Sequence, residues 1–278
     1  MNSDLTELES RLREVADVQV QNGISLAPYT SYKIGGPTTL WVAPKTEAAV
    51  GHVLKIISKE HTPLFILGRG SNLLVSDTGW EGVTLYLGDN LSGWHFDHKQ
   101  VNVLAGTLLM DLIQDAVEKG LGGLELLAGI PGGVGGALRM NAGAFGQEIE
   151  QVIVSVSGFR QDGTPFFANR REIDFRYRQV SKLEDIVITS TIANFKKADA
   201  SVLKARVADI LALRAKKQPL QFPSCGSVFK RPVGYYAGAL IEEAGLKGER
   251  IGGAMVSQKH AGFILNTAGA RAADVYAL

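Results

Sequence analysis

The sequence predicts an α+β protein of two domains, and three features carry that prediction. Residues 46–60 repeat apolar side chains at helical spacing, whereas residues 63–67 form a short apolar run with the character of a buried strand. Two glycine-rich loops, at residues 68–72 and 129–136, lie about 60 residues apart and separate helix-like and strand-like segments. A chain of 278 residues, 45% of them hydrophobic, is long enough for two domains or one large one.

The first third of the chain begins with an amphipathic helix. Leu5, Leu8 and Leu12 recur at helical spacing and Ser3 is a suitable N-cap, so we assign residues 1–20 to an N-terminal helix. Tyr32 and Ile34 then alternate into a Gly-Gly-Pro turn. The other elements expected here are helices at residues 46–60 and 107–118 and strands at residues 38–42, 63–67, 80–87, 92–96 and 100–105.

In the second half of the chain, the residue pattern predicts a hairpin, a strand and a basic helix, followed by a smaller domain. Gln161-Asp162-Gly163 lies between two strand-like runs, at residues 152–159 and 165–167, and is a hairpin signal. A strand at 185–195 precedes a domain boundary near Ala200. The helix at 202–217 is expected to bury Val202, Val207, Ile210, Leu211 and Leu213. The last elements are a helix at 236–244, strands at 254–256 and 262–266, and a helix that starts at 272.

Composition excludes several classes of function. A net charge of +1 with interspersed acids and bases argues against nucleic acid and membrane surfaces as partners. The single cysteine, Cys225, allows neither an internal disulfide nor a cysteine-based zinc site. His95 and His98 fit the polar face of a strand better than a metal site, so we expect no metal. The acidic N-terminus and the lack of an apolar run of 18 residues predict a cytoplasmic protein without a secretory signal or membrane span.

The most informative stretch is GIPGGVGGALRMNAGAFGQEI, which begins at Gly129. It is too rich in glycine for an ordinary helix or strand and too apolar for a flexible linker. We interpret it as an ordered loop whose backbone N–H groups approach an anion, with a phosphate-bearing ligand as the first hypothesis. A tightly packed turn without a ligand is the alternative, and Met140 could equally be a core residue.

The other loop, GRGSN at residues 68–72, follows a strand. It is not a dinucleotide fingerprint, because Leu73 stands where the third glycine should be, and the chain has no P-loop motif. What remains is a turn of small residues in which Ser71 and Asn72 could contact a phosphate or a ribose. Two such loops suit a ligand with two phosphates.

Six motifs in order make the assignment specific. SYKIGGP, ILGRGSNLLVSD, GIPGGVGGALRMNAGAFG, FRYRQVS, CGSVFKRP and AGLKGERIGGAMVSQKHAGFILN together resemble the UDP-N-acetylenolpyruvoylglucosamine reductases, in the shorter subtype of that family. These are flavoenzymes of peptidoglycan precursor synthesis. The resemblance implies NADPH-dependent reduction of UDP-N-acetylglucosamine enolpyruvate to UDP-N-acetylmuramate through FAD.

The resemblance also implies an FAD-binding fold of the vanillyl-alcohol-oxidase / p-cresol-methylhydroxylase type. Residues 21–200 would form the FAD-binding domain, with subdomains at about 21–75 and 76–200, and residues 201–278 would be part of a substrate-binding domain. FAD would be bound non-covalently and the protein would be a monomer. The positions that match the family's FAD-contacting segments are Tyr32, Ile34, Gly35, Gly68, Arg69, Gly70, Ser71, Asn72, Leu73, Gly129, Ile130, Pro131, Gly132, Gly133, Gly135, Gly136, Asn141, Ala142, Gly143 and Arg214.

Two further matches concern the reaction. Hydride delivery to C3 of the enolpyruvyl ether leaves negative charge at C2 and its carboxylate, which needs a cation and a proton donor. Arg178 matches the family's enolate-stabilising arginine, with a salt bridge to Asp174 or Glu172 as the bland alternative. Ser227 matches the serine that protonates C2. The matches to substrate-binding positions are Tyr177, Lys217, Lys230, Lys259 and His260, and Arg214 and Lys217 could instead belong to a solvated helix face.

One family residue has no counterpart here. The family completes its catalytic trio with a glutamate near the C-terminus, and Glu243 and Glu249 come too early to match it. We expect either a truncated chain or a lost acid, and its loss would lower turnover by roughly 10²–10³. A different flavin oxidase of the same fold and a non-catalytic binding protein remain the alternatives.

Overall fold

The computed structural model describes residues 3–278, with side chains from Leu5 onward, and residues 1 and 2 lie outside the description. The chain forms two compact units that are both discontinuous in sequence. The first contains the residues up to Asn22 together with Thr39–Arg69 and Gly82–Leu211. The second contains Gly23–Thr38, Gly70–Glu81 and Ala212–Leu278.

Among the residues that the structure describes, the first unit holds five α-helices and fifteen strands, several of them very short; β2 and β4 begin with residues of the second unit. The helices are α1 (Ser3–Arg13), α2 (Glu47–Lys59), α3 (Leu109–Glu118), α4 (Val134–Arg139) and α5 (Ala200–Lys217), whose last residues belong to the second unit. The strands are β1 (Val18–Asn22), β2 (Thr38–Pro44), β3 (Leu64–Leu67), β4 (Trp80–Tyr86), β5 (Trp94–Asp97), β6 (Gln100–Leu104), β7 (Leu121–Gly122), β8 (Gly143–Ala144), β9 (Gln147–Glu148), β10 (Ile153–Arg160), β11 (Pro165–Asn169), β12 (Phe175–Arg176), β13 (Gln179–Val180), β14 (Ile186–Asn194) and β15 (Lys196–Lys197).

These strands form two main sheets, each with its own core. A four-stranded sheet has the order β1-β2-β4-β3, with β1 antiparallel to β2 and β3 parallel to β4. Its core joins apolar residues of α1 and α2 to those of the strands. A five-stranded antiparallel sheet has the order β11-β10-β14-β6-β5, and a second core joins it to α3 and α4.

Most of the predicted elements are confirmed, and the exceptions have physical causes. The N-terminal helix ends at Arg13, and β1 occupies residues that the sequence pattern assigns to that helix. Residues 31–37 form no strand, because Thr30 turns this segment back by bonding the Ile34 N–H and carbonyl through its hydroxyl, at 3.2 and 2.9 Å. The predicted strand at Leu64–Leu67 is confirmed, although it lies at the edge of its sheet and is mostly half-buried.

Helix α5 buries a different face from the one expected. Val202 and Leu211 are 47% and 38% exposed, whereas Leu203, Ile210 and Arg214 are buried. These three residues lie seven and four positions apart, so they share one narrow stripe of the helix, and Val202 and Leu211 fall beside that stripe. The expectation for Val202 and Leu211 is therefore wrong.

The second unit is assembled from three separate stretches of chain. It contains α6 (Ala237–Glu243), α7 (Ala272–Ala277) and an antiparallel sheet of β16 (Arg250–Ile251), β17 (Ala254–Val256) and β18 (Ile264–Asn266). Asn266 Nδ2 donates to the Tyr32 carbonyl at 2.9 Å, and Asp77 accepts from the backbone N–H of Ala272 at 2.7 Å. Residues 23–38 and 70–81 therefore pack with the C-terminal part. The functional domain boundaries that we propose from the sequence stay a prediction.

No helix within residues 3–278 combines the length and the apolar character that crossing a lipid bilayer requires.

Candidate functional site

Gly68-Arg69, the part of the first predicted loop that belongs to the first unit, and the second loop meet at a segment that the sequence analysis did not single out, Ala105–Gly106. Arg69 Nε donates to the Gly106 carbonyl at 3.0 Å, and Gly135 N–H donates to the Ala105 carbonyl at 2.8 Å. A Cβ on Gly133 would lie 2.8 Å from that same Ala105 oxygen and 3.5 Å from Arg69 Cγ. The parts of the two loops that lie in this unit therefore come together at Ala105–Gly106. Gly106 lies between a strand and a helix, and it was the signal in the sequence that could have indicated this contact segment.

The long glycine stretch is not a loop throughout, which corrects the sequence analysis. Val134–Arg139 forms helix α4, with Gly135 and Gly136 inside it. A Cβ on Gly135 would lie 2.8 Å from Ala105 Cβ, so this glycine allows the helix to pack directly on the neighbouring strand end. Close packing outweighs the propensity cost of roughly 1 kcal/mol for a glycine within a helix.

The expectation of free amides is also wrong at two positions. The Val134 N–H donates to the Thr107 carbonyl at 2.9 Å, and the Gly135 N–H is bound to Ala105. Two other glycines do leave room for a ligand. No atom of the described residues lies within 4 Å of a Cβ built on Gly68 or on Gly136.

Arg69 acts within the protein in this structure. Its guanidinium forms an ion pair with Asp89, and Asp89 in turn accepts a hydrogen bond of 2.9 Å from the Tyr86 hydroxyl. The Tyr86 ring stacks on Trp41 with 5.3 Å between ring centroids. Arg69 thereby ties the first glycine loop to the core of its sheet, a role that the sequence analysis missed together with its partner Asp89.

Arg178 lies at the tip of a small hairpin and is held by two backbone carbonyls. Tyr177 and Arg178 connect β12 to β13, and Arg178 adopts a φ of 55°. Its Nη1 donates to the Asn141 carbonyl at 3.0 Å and its Nη2 to the Gly143 carbonyl at 2.6 Å. The guanidinium carbon also lies 5.2 Å from the centroid of the Tyr177 ring.

The alternative role for Arg178, a surface salt bridge, is wrong. Asp174 pairs instead with Arg176 at 2.6 Å, and Glu172 accepts from Asn169 in a capping interaction. Carbonyl partners carry no net charge, so the guanidinium of Arg178 keeps its full charge. Since only two of its five N–H groups make these bonds, it retains donors with which it can grip a carboxylate.

Asn141 is fully buried, lies against the tip of the same hairpin and has a φ of 40°. Its Nδ2 donates to Glu148 at 2.8 Å and lies 3.4 Å from the Arg176 carbonyl. Both partners are acceptors, which fixes the orientation of the amide. Its side-chain oxygen is buried and has no hydrogen-bond partner among the described residues. A buried acceptor left in this way is suited to an N–H or O–H group of a ligand.

In the second unit, the predicted cofactor residues Tyr32, Ile34 and Gly35 are largely enclosed. Tyr32 and Ile34 are 1% and 3% exposed within an apolar cluster. Burial raises the pKa of the Tyr32 phenol well above its usual range, and the adjacent Cys225 adds to the shift. A Cβ on Gly35 would lie 3.2 Å from three neighbouring atoms. The buried side chains of Tyr32 and Ile34 thus support the backbone of residues 32–35 by packing in the apolar cluster.

Gly70 begins the part of the first glycine loop that belongs to the second unit. It has a φ of 59°, and a Cβ here would lie 2.1 Å from the Tyr29 carbonyl. Its own carbonyl accepts from the Ser31 N–H at 3.0 Å. Ser71 and Leu73 are half-buried and Asn72 is exposed. The loop therefore presents Asn72 while its backbone is anchored on residues 29–31.

Ser227 is exposed and lies against the turn that precedes β18. It forms a β-bridge with Phe263, and the Val228 N–H donates to the Gly262 carbonyl at 2.9 Å. A Cβ on Gly262 would lie 3.6 Å from the Ser227 hydroxyl oxygen. Lys230, three residues further on, is also exposed. The hydroxyl is thus presented by a fixed backbone.

His260 supports this turn. Its Nδ1 accepts from the Gly262 N–H at 3.1 Å, so the proton of the neutral ring is on Nε2. The ring packs edge-on against Phe263 at 4.9 Å and also lies close to Gly238. Burial is the main cause that lowers the pKa of His260, which favours the neutral form. These contacts indicate that His260 shapes the surroundings of Ser227.

The basic residues at the end of α5 differ in exposure. Arg214 is only 8% exposed, and burial lowers the pKa of its guanidinium. Lys217 is exposed, whereas Lys259 Nζ donates to the Ala215 carbonyl at 2.6 Å. The structure therefore contradicts a solvated role for Arg214 and leaves that alternative open for Lys217.

An open cleft of about 690 Å³ in the first unit contains none of the predicted site residues. It lies between α3 and α5 and includes Trp94, Asp115 and Lys204. Among the side chains that the structure describes, from Leu5 onward, no group of three or more histidine, cysteine or carboxylate residues could hold a metal ion.

The family follows from comparison with known proteins. Residues 38–167 match the model of an FAD binding domain, and residues 218–278 match that of the UDP-N-acetylenolpyruvoylglucosamine reductase C-terminal domain. A curated UDP-N-acetylenolpyruvoylglucosamine reductase from Pediococcus pentosaceus is 44% identical over 260 residues, which are 93% of this chain and 86% of that protein. The chain belongs to this reductase family. The family prediction is confirmed, and membership makes the protein an oxidoreductase with an FAD-binding domain.

Solved structures confirm the fold. The UDP-N-acetylenolpyruvylglucosamine reductase of Thermus caldophilus superposes with a TM-score of 0.83 at 36% identity, over 94% of this chain and 92% of that one. p-Cresol methylhydroxylase matches with a TM-score of 0.51 at 14% identity, over 71% of this chain and 44% of that one. The second likeness concerns the fold alone, which is the FAD-binding type that the sequence predicts.

Proposed function

We propose that the protein reduces UDP-N-acetylglucosamine enolpyruvate to UDP-N-acetylmuramate with NADPH and FAD, in peptidoglycan precursor synthesis. The observation that carries this proposal is Arg178, a guanidinium held by two uncharged carbonyls with donors left for a carboxylate. The family membership supports it. A different flavin oxidase or a mere binding protein would not need a cation prepared in this way.

The residues of the first unit fit FAD. Gly68 and Gly136 have open space where a side chain would be, which allows a pyrophosphate to approach the backbone closely. The buried side-chain oxygen of Asn141 can accept a hydrogen bond from a flavin N–H or a ribityl hydroxyl. We propose that these three residues and their neighbours in the two loops hold the cofactor. Bound FAD would supply the hydride transfer that amino-acid side chains cannot perform.

Arg178 would stabilise the charge that appears on the substrate. When C3 of the enolpyruvyl group gains a hydride, negative charge accumulates at C2 and on the adjoining carboxylate. A guanidinium binds that carboxylate bidentately and stays protonated at any relevant pH. Since its position is set by carbonyls before the substrate arrives, little reorganisation is needed during the reaction.

Ser227 would deliver the proton to C2. A serine hydroxyl is a weak acid, so it must be held close to the carbon where charge develops. The β-bridge to Phe263 and the Val228–Gly262 hydrogen bond provide a rigid backbone for it. Lys230, Lys217 and Tyr177 are exposed, and we propose that they contact the phosphates or the sugar. Lys259 donates to the Ala215 carbonyl, and His260 accepts from the Gly262 N–H.

The function is tested with anaerobic visible spectra of the purified protein of 278 residues. We expect oxidised-flavin bands that disappear with NADPH and return when the enolpyruvyl UDP-sugar is added. Bands that bleach but do not return would contradict the proposed reduction while leaving a flavin protein. A colourless protein that takes up no added FAD would contradict the cofactor site as well.

Two neighbouring glycines of α4 test the cofactor site separately from the fold. Gly136→Ala meets no protein atom within 4 Å, so the apoprotein should keep its melting temperature while its FAD affinity falls at least about tenfold. Gly135→Ala would place a Cβ 2.8 Å from Ala105 Cβ, so it should lower the melting temperature of the apoprotein itself. Titration of apoprotein with FAD and thermal unfolding measure the two effects. Unchanged FAD affinity in Gly136→Ala would show that the cofactor does not bind against this helix.

The use of NADPH as co-substrate, the monomeric state and the cytoplasmic location stay predictions from the sequence. So do the functional domain boundaries.

A further inference from the structure

We propose that Glu148 is a positioning residue that holds Arg178 in place through the segment Asn141–Gly143. The inference rests on the proposed function, because it assigns a role to the support of the cation that would bind the substrate carboxylate. Sequence reasoning gave Glu148 no role.

The position of Arg178 depends on two backbone carbonyls. Its Nη1 and Nη2 donate to the oxygens of Asn141 and Gly143 at 3.0 and 2.6 Å. Any shift of either carbonyl would therefore move or release the guanidinium. What fixes residues 141 and 143 also fixes Arg178.

Glu148 contacts both Asn141 and Gly143. Its carboxylate oxygen accepts from Asn141 Nδ2 at 2.8 Å, and it pairs with Gly143 in the two-stranded β8–β9 ladder. A Cβ on Gly143 would lie 2.8 Å from Glu148 Cγ, so the methylene stem of the glutamate packs directly on the glycine backbone. The Glu148 side chain thus holds the segment Asn141–Gly143 both by its carboxylate and by its methylene groups.

Asn141 needs support from its neighbours to keep its backbone conformation. Asn141 has a φ of 40°, a left-handed conformation in which an L-residue needs support from its surroundings. Its amide is fully buried, and the hydrogen bond to Glu148 is the shorter of the two that its Nδ2 makes. Without Glu148, the amide would lose its best acceptor and the Asn141 carbonyl would be free to turn away from Arg178.

The test separates the two half-reactions of the enzyme. In Glu148→Ala, we expect substrate-dependent reoxidation of the reduced flavin to slow by roughly ten- to hundredfold, within the range of couplings seen in one hydrogen-bond network. Flavin reduction by NADPH should change less than about threefold. Glu148→Gln keeps an oxygen acceptor for Asn141 and the whole methylene stem, so it should restore most of the rate. Rapid-mixing absorbance measures both half-reactions.

Glu150→Gln is the matched control. Glu150 lies two residues further on and pairs with Arg170, outside the contacts of Arg178. It should leave the ratio of the two half-reactions as in the wild type. If Glu148→Ala does not fold, Glu148→Asp, which shortens the reach to Asn141 by one methylene, replaces it.

A double-mutant cycle and a crystal structure distinguish positioning from general damage. In an Arg178→Lys background, Glu148→Ala should cost less than about threefold further, because there is no guanidinium left to position. The crystal structure of Glu148→Ala should show at least one of the Arg178–carbonyl bonds broken. Equal slowing of both half-reactions, full additivity or intact bonds would overturn the inference. A wild-type enzyme that the enolpyruvyl substrate does not reoxidise would overturn the proposed function, and this inference with it.

Discussion

Replacing Arg178 with lysine should slow reoxidation of the reduced flavin by the enolpyruvyl substrate by roughly 10²–10³. A lysine ammonium is a single point of charge, so it cannot span the two carbonyls of residues 141 and 143 and at the same time grip a carboxylate bidentately. Flavin reduction by NADPH should stay within about threefold of the wild type, because no substrate carboxylate is involved in it. Single-turnover absorbance measurements report both steps.

Arg171→Lys is the control for this experiment. Arg171 is an exposed arginine in the turn that precedes the same hairpin. Its replacement should leave both half-reactions unchanged. If Arg178→Lys reoxidises as fast as this control, Arg178 does not stabilise charge on the substrate, and the main support for the proposed function is lost.

Replacing Gly79 with alanine should destabilise the folded protein severely. A Cβ at this position would lie 1.7 Å from the Pro37 carbonyl oxygen, and the φ of 82° is itself unfavourable for alanine. The clash is with backbone that holds the Trp80 N–H at 2.9 Å, so no side chain can move aside to relieve it. We expect a loss of at least about 4 kcal/mol or failure to fold.

Gly23→Ala separates the clash from the backbone strain. Gly23 belongs to the same unit and has a similar φ of 61°, but no atom of the described residues lies within 4 Å of a Cβ there. This variant should lose only about 1–2 kcal/mol. Urea unfolding followed by fluorescence compares the two. Equal unfolding midpoints would show that residues 36–37 and 77–79 do not pack as closely as described.

The sequence alone was sufficient for most regular elements and for the family. Helices such as α2 and α3 bury one face over three turns, so the periodicity of their apolar residues is visible without any knowledge of their neighbours. The hairpin of β10 and β11 follows from its turn residues for the same local reason. The glycine loops were recognisable because their composition suits neither ordinary secondary structure nor a flexible linker.

Other features were decided by tertiary packing. Helix α4 forms despite its glycines because Gly135 packs against Ala105, thirty residues earlier in the chain. Residues 23–38 and 70–81 join each other through backbone contacts such as Trp80 with Pro37, and they join the C-terminal part through contacts such as Asn266 with the Tyr32 carbonyl. None of these contacts leaves a periodic signal in the sequence. The distribution of the chain between the two units therefore could not be read from composition.

The candidate site divides in the same way. The identities of Arg178 and Ser227 came from motifs in the sequence, because chemistry restricts which residue types can stand there. Their supports are Asn141, Gly143 and Glu148 for Arg178, and Gly262 and His260 for Ser227. These are contacts between residues distant in the chain, several of them through backbone atoms that every residue possesses. Only the tertiary structure decides them, because backbone carbonyl positions depend on how the whole segment folds.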